Sequence, residues 1–174
     1  ILEFLALHGQ PYCTDESNSD TVFLRNRIRH ELIPLLEEKF NPSVIDSLER
    51  LSRIIRSEND FLELKTEDAL NQCIKSSSIE STEIERTRFI QLHPALQARV
   101  LRNIILRLKN DLKRFSLVHA TDAIELAASG AFPKTLDLPG MIRIYFSKNT
   151  ITVRKEDIPL RQLGTIEKDK RRKV

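Results

Sequence analysis

Tryptophan is absent from these 174 residues, methionine occurs once, and there are only four glycines. So little glycine excludes collagen-like and glycine-rich low-complexity chains. With aromatics at 6%, a core has to be built mainly from Leu, Ile and Val. No stretch approaches the roughly 18 uninterrupted apolar residues of a membrane span. The amino terminus shows no basic-then-apolar leader pattern. The two cysteines, Cys13 and Cys73, lie far apart, and neither has a second Cys or His at a metal-ligand spacing. They read as reduced thiols of a cytoplasmic protein. The chain does have 40% hydrophobic residues, enough for one domain or about one and a half. The opening at Ile1 reads as part of a longer chain.

The net charge of +3 is unevenly spread. Residues 56–85 hold three bases against eight acids, whereas residues 86–114 hold eight bases against Asp111 alone. The tail from Pro159, with Lys168-Asp169-Lys170-Arg171-Arg172-Lys173, reads as polar and disordered. A neutral body with one basic segment suggests a directional partner, nucleic acid first. The alternative is a solvated face paired with the acidic segment.

Helical periodicity dominates. Residues 1–8 read as a helix ending at Gly9, followed by the polar loop Thr14–Asp20, with Asp20 as a cap. Leu24, Ile28, Leu32 and Leu35 share a face over residues 23–38. Asn41-Pro42 starts a long helix, Asn at the cap and Pro at the first position, that reaches Cys73. Residues 76–84 read as a Ser-rich linker. A helix from Glu85, interrupted at His93-Pro94, resumes from Ala95 to Lys113, and a short one covers His119–Ser129. Short strands at 132–138, 142–146 and 151–153 come next, around turns. The expected fold is mainly α, with a small carboxy-terminal hairpin. Its divisions are 1–40, 41–75, 76–156 and 157–174.

The segment from Phe23 to Leu36 is the most unusual. At about 100° per residue, Arg25 and Arg29 fall within or beside the apolar face and Arg27 points away. A buried unpaired charge is costly, so Arg25 and Arg29 require anionic partners. The planar guanidinium suits carboxylate or phosphate. Pairing with acids of the Asp15–Asp20 loop would serve equally well. Pro34 removes a helical hydrogen bond and clashes with the carbonyl of His30, so a bend is expected there.

The run Asp15-x-Ser17-Asn18-x-Asp20, then Phe23-x-Arg25-Asn26-Arg27-Ile28-Arg29-His30-x-Leu32-x-Pro34, resembles the signature that closes the catalytic half of tRNA(Ile)-lysidine synthetases. Looser agreement continues at Asn41-Pro42, at His93-Pro94-x-Leu96-Gln97-x-Arg99 and at Leu138-Pro139-Gly140. The family often has a second glycine where this chain has Met141. The resemblance implies an ATP-dependent ligase that adenylates the wobble cytidine of an isoleucine tRNA and releases pyrophosphate. The ε-amine of free lysine then displaces AMP. ATP and Mg²⁺ would sit in an amino-terminal domain with a Ser-Gly-Gly-x-Asp-Ser loop, which this sequence does not contain. The chain alone is therefore expected to be inactive and to bind neither. Carried over, Arg29 is the catalytic candidate. Arg25, Asn26, Arg27 and His30 border the site, and Asp15, Ser17 and Asn18 order the loop.

Arg99, Arg102, Lys109 and Lys113 fall on one side of the helix after Pro94, interrupted by Leu106, opposite Leu96, Val100, Ile104 and Leu108. They are the candidate tRNA contacts, made to phosphates rather than bases. A stand-alone helical RNA-binding module and a helical scaffold are the competing readings, and a homodimer is left open. No metal site is expected.

Overall fold

A computed structural model describes residues 2–11 and 20–158. Cys13, the loop residues Asp15, Ser17 and Asn18, and the tail from Pro159 lie outside the described residues. The chain divides into two units, 1–57 and 58–174, with the boundary inside one long helix.

In the first unit α1 covers Leu2–Leu7 and ends at Gly9, whose φ of 60° is the left-handed closing conformation open to glycine. Asp20 begins the next element: its Oδ1 accepts from the Val22 amide at 2.9 Å. Then come α2 (Leu24–Arg27), five residues of π-helix (Ile28–Leu32) and α3 (Ile33–Lys39). The bend expected near Pro34 is thus a widened turn, and it breaks the single face on which Leu24, Ile28, Leu32 and Leu35 were placed. Asn41 Oδ1 accepts from the Ser43 amide at 3.0 Å. The long helix α4 starts two residues later than expected, at Val44, and runs to Cys73.

The second unit holds the core. It comprises the remainder of α4, β1 (Ile74–Ser77), β2 (Ser81–Glu85), α5 (Arg86–Gln91), α6 (Pro94–Lys109), α7 (Leu117–Ala128), β3 (Lys134–Leu138), β4 (Ile142–Phe146) and β5 (Thr150–Lys155). All five strands join one antiparallel sheet in the order β1-β2-β5-β4-β3. The expectation of a mainly α fold is therefore corrected to a mixed α/β one. The correction comes from residues 76–84. They form the β1–β2 hairpin rather than a linker, because Thr82 and Ile84 turn inward while Ser81, Glu83 and Glu85 alternate outward. Pairing β2 with β5 joins this hairpin to the three later strands.

Ile84, Ile142, Ile144, Phe146, Ile151 and Val153 on one sheet face pack with Leu70, Phe89, Val100, Leu101, Ile104 and Ile105 from the helices. On the other face buried Arg143 meets Asp137 through two hydrogen bonds, Nε to Oδ1 at 2.5 Å and Nη2 to Oδ2 at 3.0 Å. Tyr145 donates to Glu156 at 2.6 Å; burial first, and that bond second, push its phenol pKa up. Cys73 is free and buried, and burial raises its thiol pKa. The β3–β4 turn places both Gly140 and Met141 at positive φ, 82° and 63°. A second glycine in that position would fit without strain, and Met141 occupies it at some conformational cost.

Candidate functional site

Two groups of predicted residues come into view, one in each unit. In the first, Arg25 stands on α2 with Arg27, while Arg29 and His30 lie within the π turn. The three arginines are exposed, and their side chains make no ion pair or hydrogen bond among the described residues. The anionic partners expected for Arg25 and Arg29 are thus not among the described side chains. Asn26 differs from its neighbours. It is the buried residue of this segment, 8% exposed, and its Nδ2 donates to the Asp20 carbonyl at 2.9 Å. The Phe23 amide reaches the same carbonyl at 3.3 Å. Asn26 and Asp20 together fix where the arginine-bearing helix begins, so Asn26 supports the display of the guanidiniums instead of sharing it.

In the second unit, α6 buries Gln97, Val100, Leu101, Ile104, Ile105 and Leu108. Its amino end is capped by His93, whose Nδ1 accepts from the Ala95 amide at 3.2 Å. Its carboxy end comes at Lys109, four residues before the expected one, because Asn110 adopts φ 64°. Asn tolerates this conformation better than most residues. Lys113 therefore lies beyond the helix, and the four bases do not form a stripe along it. Lys109 is held in a structural role, since its ammonium pairs with Asp111 at 2.8 Å and donates to the Lys113 carbonyl at 2.6 Å. The hydrogen bond from Lys109, and after it one from the Lys113 amide, holds the Asp111 carboxyl below the usual range.

Other bases of the segment are also committed internally. Arg86 donates to the Ala127 carbonyl at 2.6 Å, satisfying the end of α7, and lies 4.5 Å over the Phe132 ring. Arg88 donates to the Gln72 carbonyl at 2.7 Å at the end of α4. Helix ends leave unsatisfied carbonyls and a partial negative charge, which is why cations gather there. None of these caps is visible in a count of charges. Pairing with the acidic segment, the alternative reading of this charge, is also seen. Arg107 meets Glu67 at 2.6 Å, Asn103 donates to Glu67 at 2.8 Å, and Arg99 donates to Asn59 at 2.9 Å. Hydrogen bonds from Arg107 and then Asn103 lower the Glu67 pKa. Arg102, Lys113 and Arg114 remain exposed. Arg114 was not singled out by helical spacing, since it sits in the loop at φ 64°.

Between α4 and α6 lies an open cleft of about 880 Å³, lined by Asp60, Glu63, Glu67, Arg99, Arg102 and Leu106 among others. Among the described residues no group of three or more His, Cys, Asp or Glu is arranged to hold a metal, and no helix is long and apolar enough to cross a membrane.

Residues 1–36 match the PP-loop domain, and α2 and the π turn lie inside the matched segment. The chain is 32% identical over 144 residues to the tRNA(Ile)-lysidine synthase of Clostridioides difficile (strain 630), covering 83% of this chain and 31% of that protein. It is 31% identical over 129 residues to that of Clostridium tetani (strain Massachusetts / E88), 74% of this chain and 27% of the relative. With that of Bacillus subtilis (strain 168) it shares 30% over 151 residues, 86% of this chain and 32% of the relative. The chain belongs to the tRNA(Ile)-lysidine synthase family, and it spans less than a third of the length of these relatives.

Proposed function

We propose that this chain works in a cytoplasmic, ATP-dependent ligase that joins lysine to the wobble cytidine of an isoleucine tRNA. The observation that carries the reading is the row of exposed guanidiniums on the arginine helix, inside the segment that matches the PP-loop domain. Guanidiniums with no partner among the described side chains are suited to a phosphate-bearing ligand, which each can grip through two parallel hydrogen bonds.

Arg29 is the residue for the reacting centre, where a fixed cation stabilises charge that develops on phosphate. Arg25, Arg27 and His30 border that centre, and Asn26 holds the helix that presents them. ATP, with Mg²⁺, supplies when bound the adenylyl group that activates the base. In this reading the segment forms the edge of the active site, and the nucleotide is held by a Ser-Gly-Gly-x-Asp-Ser loop that this sequence does not contain. On the same reading α4 (Val44–Cys73) is the connecting helix and residues 74–156 hold the tRNA body through phosphates. Arg102 and Lys113 make the contacts, while Arg99 and Lys109 hold the frame.

Substituting Arg29→Ala in the intact synthase that contains this segment is expected to lower lysine incorporation into isoleucine tRNA roughly 100-fold, the usual loss for one preorganised electrostatic group. An unchanged rate would remove Arg29 from the reaction. Anisotropy of a labelled tRNA transcript across a salt series tests the second unit. Affinity that falls steeply with salt, and drops in an Arg102→Ala/Lys113→Ala variant, is expected. Salt-insensitive behaviour, or no binding at low salt, would leave these bases as ordinary surface.

A further inference from the structure

The break between α2 and α3 has a local cause. At its end the Ile33 amide donates to the Ile28 carbonyl, five residues back. Pro34, the next residue, has no N–H, and its ring collides with the carbonyl four residues earlier in an ordinary α-helix, here that of His30. A turn with one extra residue widens the backbone and moves that carbonyl clear of the ring. Such π turns are rare, occur singly, and concentrate at functional sites. Two of the five residues in this one are Arg29 and His30.

We propose that Pro34 is a positioning residue: it imposes the π turn over Ile28–Leu32 and so sets the direction in which Arg29 and His30 leave the helix. One residue added to a turn shifts the phase of the downstream helix by about 100°. The shift is not absorbed upstream, because Asn26 ties α2 to the Asp20 carbonyl. Arg25 and Arg27, on α2, therefore keep their directions, while the side chains through the turn, from Arg29 and His30 onward, rotate progressively away from their α-helical phase. The inference rests on the role given to Arg29 above.

The variant Pro34→Ala supplies the missing donor and removes the ring. Amide exchange and chemical shifts on this chain are expected to report a continuous α-helix across residues 24–39, with a protected amide at position 34. In the intact synthase, kcat for lysine incorporation is expected to fall at least tenfold, while KM for tRNA and the thermal midpoint hold or improve. A variant that becomes α-helical and keeps full kcat overturns the proposal. So does one that keeps the π turn, since Pro34 would then not be its cause. Arg29→Ala run alongside separates the two readings. If it is silent, the role of Arg29 fails first. If it is inactive while a regularised Pro34→Ala variant is fully active, only the positioning role of Pro34 is lost.

Discussion

The two units differ in where their apolar side chains go. Every buried hydrophobic residue among those described, from Ala69 to Val153, belongs to the second unit; in the first, buried Asn26 is polar. The contrast runs through a single helix. Along α4, Leu48 and Leu51 are more than half exposed, whereas Leu70 and Cys73 are sealed. Both ends carry leucines at helical spacing, so periodicity alone does not say which stretch finds a core. An apolar stripe records that a face is able to pack, and the neighbours decide whether it does.

The largest expected effect tests this contrast directly. Leu70→Ala should cost about 2–5 kcal/mol, the range for emptying a sealed leucine site. Leu51→Ala should stay within about 0.5 kcal/mol, as exposed substitutions do. Urea unfolding of both variants decides it, and equal losses would mean that the amino-terminal part of α4 is packed in solution. A smaller and local effect is expected at Asn26. Asn26→Ala should speed amide exchange through residues 20–27 by about 1 kcal/mol of opening free energy, the worth of one hydrogen bond, and leave α6 untouched. Equal change in both units would show that they open together.

The smallest effect concerns pH. Glu67 has its pKa lowered by Arg107, so this pair contributes stability above the ordinary glutamate range. That contribution fades as pH falls through the range toward the depressed folded value. Both side chains are nearly half exposed, so solvent screening limits the contribution to under about 1 kcal/mol. Arg107→Ala should flatten the acid limb of a stability-against-pH curve for the second unit. An identical limb in the variant would show the pair to be inert.

Several element boundaries were legible in the residues, though the fold class was not. Gly9, the His93-Pro94 break and the Pro139-Gly140 turn punctuate the chain where the structure does, and α4 ends at Cys73 as its stripe foretold. The missed hairpin shows where legibility stops. Serines at 76–78 and 81 have linker composition, and only Thr82 and Ile84 carry the two-residue period. A five-residue strand is held in place by pairing with β5, far away in sequence. The candidate site was legible as a motif but not as a geometry. Asn26 looked like one more polar residue among the arginines, and its burial and its bond to Asp20 separate it from them. The basic segment misled in the opposite direction. Five of its eight bases, Arg86, Arg88, Arg99, Arg107 and Lys109, bind within the protein. A total charge says nothing about which cations finish a helix and which face water.

Lys109 and Gly140 show how closely such assignments can be linked. The lysine stem crosses the β3–β4 turn so near Gly140 that a Cβ there would collide with Lys109 Cε. Any other residue at 140 would therefore do more than strain a left-handed turn. It would push aside the Lys109 stem, and with it the ammonium group that pairs with Asp111 at the end of α6. Position 140 thus acts as a steric latch on the electrostatics of a helix far from it in the chain.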